Sequence, residues 1–104
     1  MNRIERITEM ETYLDASAEA VRKMSEALEE YENVQRKLQK LEDYYGSVQW
    51  MKDYEADEAG KLPKDLKRGV LSEDAVYDLL DENRELTVRM LSLITKEIQN
   101  NMIL

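Results

Sequence analysis

Apolar side chains recur at Ile4, Ile7, Met10, Leu14, Ala18, Val21, Met24, Leu28, Tyr31, Val34, Leu38, Leu41 and Tyr45, in steps of three and four residues. That spacing holds them on one stripe of an α-helix, and no Gly or Pro interrupts the run. The pattern predicts a helix over about 3–45, roughly 64 Å long at about 1.5 Å per residue. A small core cannot cover such a helix, so it needs a long partner. Between the apolar positions stand Glu26, Glu29, Glu30, Glu32, Arg36, Lys37 and Lys40. Both attractive (Glu32 to Arg36) and repulsive (Glu26 to Glu30) i,i+4 pairs occur among them, which reads as a solvated face.

Gly46 is expected to end this helix with a left-handed cap, and Ser47 to cap the next. Residues 48–59, VQWMKDYEADEA, put Trp50, Met51 and Tyr54 on one side and Asp53, Glu55, Asp57 and Glu58 largely on the other, so a short amphipathic helix stopped by Gly60 follows. With Tyr44 and Tyr45, this stretch concentrates four of the seven aromatic residues within eleven positions. Large rings gathered at a bend favour a satellite core, with Trp50 pinning the short helix to the long one.

A second long helix is signalled at Leu71-Ser72-Glu73-Asp74. Ser72 suits an N-cap, Glu73 and Asp74 suit the positive end of the helix dipole, and Leu71 and Val76 are placed for a hydrophobic staple. Val76, Leu79, Leu80, Leu86, Met90, Leu91, Leu93, Ile94, Ile98 and Met102 then recur at helical spacing, predicting a helix over about 73–103 with Asn83 in mid-stripe, where it either fixes register or sits exposed at the stripe's edge. At roughly 46 Å this helix is about 18 Å shorter than the first, and the short helix spans about that difference. The predicted fold is all-α: a single domain over 1–104, built as an antiparallel hairpin of two long helices. The short third helix packs at the elbow, over Leu38, Leu41 and Tyr45, and dimerisation completes the cover of the apolar stripes.

Composition narrows the function. The 104 residues hold no Cys and no His, which removes thiol chemistry, disulfides and the commonest general base and metal ligand. The net charge of -8 disfavours nucleic acid and acidic membrane surfaces. The first twenty residues are too often charged for a signal peptide, so a cytoplasmic protein is expected. Residues 61–72 alone are basic, with four cationic and one acidic side chain, between segments of net charge -7 and -4. Lys61, Lys64, Lys67 and Arg68 are therefore expected to lie against helix carboxylates. Pro63 is expected to open a turn through Leu66, and Gly69 to break it before Ser72.

The runs LEDYYGS (41–47), DYEADEAGKLPKDLKRGVLSEDAVYDLL (53–80) and ENREL (82–86) resemble a bacterial family of about a hundred residues carried as a domain of unknown function, with LKRGVLSED as its core motif. The resemblance implies a small bacterial helical protein and brings no activity, substrate or catalytic residue with it.

The residues themselves favour a non-enzymatic protein-protein interaction or regulatory module, a homodimer that also binds an unidentified protein and needs no cofactor. Tyr44, Tyr45, Trp50, Tyr54 and Arg68 are the residue types that dominate interface energetics, so the 44–74 region is the expected contact surface. The alternative is an anion site at Lys67, Arg68 and Ser72, or a divalent metal site drawing on Asp53 and Asp57. A calcium loop starting at Asp53 fails, because Glu58 stands where glycine is needed and Lys64 where a bidentate Glu is needed.

Overall fold

A computed structural model describes residues 1–101. Its regular elements are all helical: α1 (Arg3–Tyr45), α2 (Val48–Glu58), a single 3-10 turn (Gly69–Leu71) and α3 (Ala75–Asn100). Met102, assigned above to the end of the second stripe, and a helix end near 103 lie outside the described residues. Close contacts group the chain into two units, Met1–Leu38 and a second from Gln39 onward.

In the first unit, helix α1 opens on a reciprocal capping box. The Asn2 side-chain oxygen accepts the Glu5 amide at 2.8 Å, and the Glu5 carboxylate accepts the Asn2 amide at 3.4 Å. Two donors that a helix start leaves without partners are thereby satisfied. Further along, Arg22 bridges Glu19 and Glu26, and Lys23 reaches Glu19 at 3.6 Å. Such exposed pairs contribute a few tenths of a kcal/mol each. The apolar stripe from Ile4 to Val34 is exposed except at Tyr31, which is half-buried.

The second unit contains the last turns of α1, then α2, the basic segment and α3. Helix α1 ends at Tyr45, but Gly46 does not take the left-handed conformation expected of it; the positive φ belongs to Gly60, at 69°. The break after Tyr45 is made by Ser47, whose hydroxyl donates to the Tyr44 carbonyl at 2.6 Å and accepts the Trp50 amide at 3.2 Å. Gly60 closes α2 in a Schellman arrangement, in which the Lys61 amide returns to the Ala56 carbonyl and the Gly60 amide to that of Asp57, both at 3.0 Å. An added Cβ would meet nothing within 4 Å at either glycine, so the backbone angle alone distinguishes them. Gly60→Ala is expected to cost about 1 kcal/mol. Gly46→Ala is expected to change stability by less than about 0.5 kcal/mol, with urea unfolding followed by circular dichroism as the check on both.

After Gly60 the chain turns at Pro63, whose carbonyl accepts the Leu66 amide at 3.2 Å. Gly69 does not break the path before Ser72: it begins the 3-10 turn. The Ser72 hydroxyl donates to the Gly69 carbonyl at 2.8 Å and accepts the Ala75 amide at 3.1 Å, so it caps α3 from three residues before its first helical residue. Helix α3 starts at Ala75, and just before it the Glu73 carbonyl accepts the Tyr45 hydroxyl. Leu71 and Val76, the two positions a staple would join, are the buried side chains among the described residues, at 5% and 3% exposure. Leu41, Tyr45, Trp50, Leu62, Val70 and Leu80 of the same unit are half-buried. No helix among the described residues is long and apolar enough to cross a membrane.

Candidate functional site

The polar and aromatic groups of residues 44–74 form three sets of contacts, the largest of them an aromatic network. Trp50 stands at its centre. Its ring lies edge-on to Tyr45 at 5.2 Å between centroids and stacks on Tyr54 at 5.3 Å, two geometries that suit aromatic quadrupoles. The indole N–H donates to the Val70 carbonyl at 3.0 Å, twenty residues away in sequence. Helix α2 supplies Trp50 and Tyr54 one turn apart, and the Ser47 cap sets where that turn begins.

Two tyrosines then converge on one residue. The Tyr45 hydroxyl donates to the Glu73 carbonyl at 3.0 Å and the Tyr54 hydroxyl to the Glu73 carboxylate at 3.1 Å. Arg68 is the cation that holds the basic segment: its Nε lies 3.1 Å from the Asp57 carboxylate, and it donates to the Pro63 carbonyl at 3.1 Å. The side chains of Arg68 and Asp57 are 38% and 24% exposed, so this pair is better shielded than the helix-surface pairs. Lys61, Lys64 and Lys67, expected to lie against carboxylates as well, form no ion pair among the described residues.

Tyr44 donates to the Asp53 carboxylate at 2.6 Å, and Gln49 donates to the same carboxylate at 3.0 Å. The hydrogen bond to Asp53, helped by burial and by the carboxylate's charge, pushes the Tyr44 phenol up to about 12. The same bond, with that from Gln49, holds the Asp53 carboxyl below its ordinary value. The Tyr54 phenol is also raised, chiefly by its bond to Glu73 and then by the charge of Glu58.

A raised tyrosine contributes stability that is full below its ordinary value of 10.0 and is lost as pH rises through the folded value, here about 12 for Tyr44. A lowered aspartate contributes above its ordinary value of 3.8 and loses that contribution as pH falls through the depressed folded value. Tyr44→Phe is therefore expected to lower stability most between about pH 5 and 9. The gap from wild type should narrow on both the acid and the alkaline side. Melting temperature against pH, with a phenolate absorbance titration that loses its latest step in the variant, checks this.

Next to the network lies an open hollow of about 390 Å³. Leu41, Val70, Val76 and Leu79 line it together with Lys67, which makes it apolar with one cation in its wall.

The structure thus brings Tyr45, Trp50 and Tyr54 together through Glu73 and Val70, joins Tyr44 to Asp53, and gives Arg68 to Asp57. Lys67, Arg68 and Ser72 share no hydrogen bond or ion pair with one another among the described residues. Arg68 is held by Asp57 and Pro63, the Ser72 oxygen takes the Ala75 amide, and Lys67 lines the hollow. Asp53 and Asp57 are each occupied by a donor of their own, and among the described residues no group of three or more acidic side chains is placed to hold a metal ion. Sequence reasoning missed Gln49 and Glu73. The four-residue step from Gln49 to Asp53 was a readable signal, whereas nothing local marks Glu73 as the acceptor of two tyrosines.

Comparison with curated proteins and with solved structures finds no match to either. The family model described as Domain of unknown function (DUF4298) matches residues 7–93, and the chain belongs to that family.

Proposed function

We propose that the chain is a non-enzymatic α-helical interaction module of the bacterial cytoplasm that works as a homodimer and binds a further protein through its 44–74 region. In this reading the two long helices pair as an antiparallel, coiled-coil-like hairpin, the short helix packs at the elbow, and a second copy covers what the hairpin leaves open. The observation that carries it is the exposure of regularly spaced apolar side chains on both long helices: Ile4, Leu14 and Val21 on α1, and Leu91, Leu93 and Ile98 on α3, are each more than half exposed. Apolar stripes of that length are the usual mark of an interface. The residues of the 44–74 network spend their polar ends internally, which supports a rigid platform with the apolar hollow beside it. The hollow suits an apolar side chain of a partner, and Lys67 an acidic neighbour.

Sedimentation velocity of the full chain at tens of micromolar tests the reading. The expected result is a species of twice the chain mass, and a monomer throughout the range overturns the dimer. A thermal melt against inorganic phosphate, Mg²⁺ and Mn²⁺ separates the competing class, since a ligand that binds only the folded state raises the melting temperature. No shift is expected. A clear rise would move the function to an anion or metal site.

A further inference from the structure

Helix α3 carries two apolar lines. Its inner line holds Val76, Leu80, Asn83 and Met90, all buried or half-buried. A second line, about a quarter turn round at 3.6 residues per turn, holds Leu79, Leu86 and Leu93, which stand seven residues apart and are 45%, 42% and 57% exposed. A seven-residue repeat keeps these leucines on a narrow seam suited to another helix.

The charges along this seam differ between its two halves. Glu82 and Glu85 stand beside its N-terminal half and Arg89 and Lys96 beside its C-terminal half, all four exposed, with Glu97 the one acidic side chain of the C-terminal half, one turn beyond Leu93. Among the described residues none of the four forms an ion pair, although Glu85 and Arg89 stand at the favourable four-residue spacing. Shallow grooves run along the same line, one bordered by Glu82, Glu85, Leu86 and Arg89 and the next by Arg89, Leu93 and Lys96 among others.

We propose that the seam of Leu79, Leu86 and Leu93 is the self-association face, and that its occupant is the same seam of a second copy running antiparallel about a two-fold axis near the middle of α3. This rests on the dimer reading above and names its face. Charge selects the arrangement. Antiparallel seating with Leu86 of one copy beside Arg89 of the other places each Glu82 within a turn of the partner copy's cationic half, and each Glu85 likewise. Parallel seating would set Glu against Glu and cation against cation. An isologous contact needs a self-complementary surface, and a line whose N-terminal half is acidic and whose C-terminal half, with Arg89 and Lys96 against Glu97, keeps a net positive charge is one. Steering by opposite charge gives such a contact its register, and like charges at the interface oppose it.

The test uses the full chain with two charge-reversed variants. Glu82→Lys with Glu85→Lys reverses the acidic half of the seam, and Arg89→Glu with Lys96→Glu reverses the cationic half. All four positions are exposed, so helix content and melting in dilute solution report whether each variant remains folded. Each variant alone is expected to sediment as a monomer, its dimer Kd raised by about a hundredfold or more. An equimolar mixture of the two is expected to recover the dimer. Variants that each keep the wild-type dimer overturn the seam while leaving the dimer reading in place. Variants that dissociate but do not pair on mixing overturn the antiparallel charge match. A monomeric wild type overturns both the seam and the dimer.

Discussion

Trp50→Ala is expected to destabilise the second unit by about 3 kcal/mol, the low end of the range for a core Trp because this ring is only half-buried. The variant loses the edge contact to Tyr45, the stack on Tyr54 and the hydrogen bond to Val70 at once. It also leaves the Val70 carbonyl without that donor, and a half-buried acceptor left unpaired adds to the cost. Trp50→Phe separates the parts: it keeps a ring and removes the N–H, with an expected loss of about 1 kcal/mol from the hydrogen bond. The measurement is urea unfolding followed by circular dichroism, since fluorescence disappears with the only Trp. If Trp50→Ala costs no more than an exposed leucine would, the ring is not an anchor.

Leu71→Ala is the second large effect, at about 3 kcal/mol for a leucine that is 5% exposed. Leu71 ends the 3-10 turn, just before the Ser72 cap, and Val76 is buried with it. Removing its side chain is expected to loosen the basic segment and the start of α3 together. Leu91→Ala, at 65% exposure on the same chain, is expected to cost less than about 0.5 kcal/mol when measured at concentrations below self-association. A small, partly exposed core makes the contrast sharp, because Leu71 and Val76 carry much of what a larger domain spreads over many side chains.

What was legible in the sequence is what local rules encode. The uninterrupted stripe from Ile4 marked α1, and Ser47 and Gly60 bracketed α2, because periodicity, N-capping and glycine stops act within a few residues. The Asn2–Glu5 box was equally local and went unread, although Asn-x-x-Glu is a variant of the capping pattern. Gly46 was assigned the wrong conformation because a serine cap can end one helix and start another without a left-handed residue. The gathering of Tyr44, Tyr45, Trp50 and Tyr54 was visible as composition. Their partners were not. Tyr45 to Glu73 spans 28 residues and Trp50 to Val70 spans 20, and a side chain that bonds a backbone carbonyl across such distances leaves no pattern of residue types at the acceptor. Among the four basic residues of 61–72, the sequence marked Arg68 as a residue type for an interface, and nothing in it marked Arg68 as the partner of Asp57. Its guanidinium donates to Asp57 and Pro63 at once, which an ammonium holds less well in a fixed direction.

The central claim is that the basic segment between α2 and α3 is fixed in place by the ring of Trp50, the two tyrosine bonds to Glu73 and the Arg68–Asp57 pair. Residue-by-residue hydrogen exchange followed by NMR tests it most directly, through the Trp50 indole N–H and the amides of Leu66, Leu71 and Ser72, each of which donates within the second unit. Slow exchange is expected at all four, lifted together by Trp50→Ala. Exchange at the rate of an unstructured chain across 61–72, with α2 and α3 still protected, would contradict it.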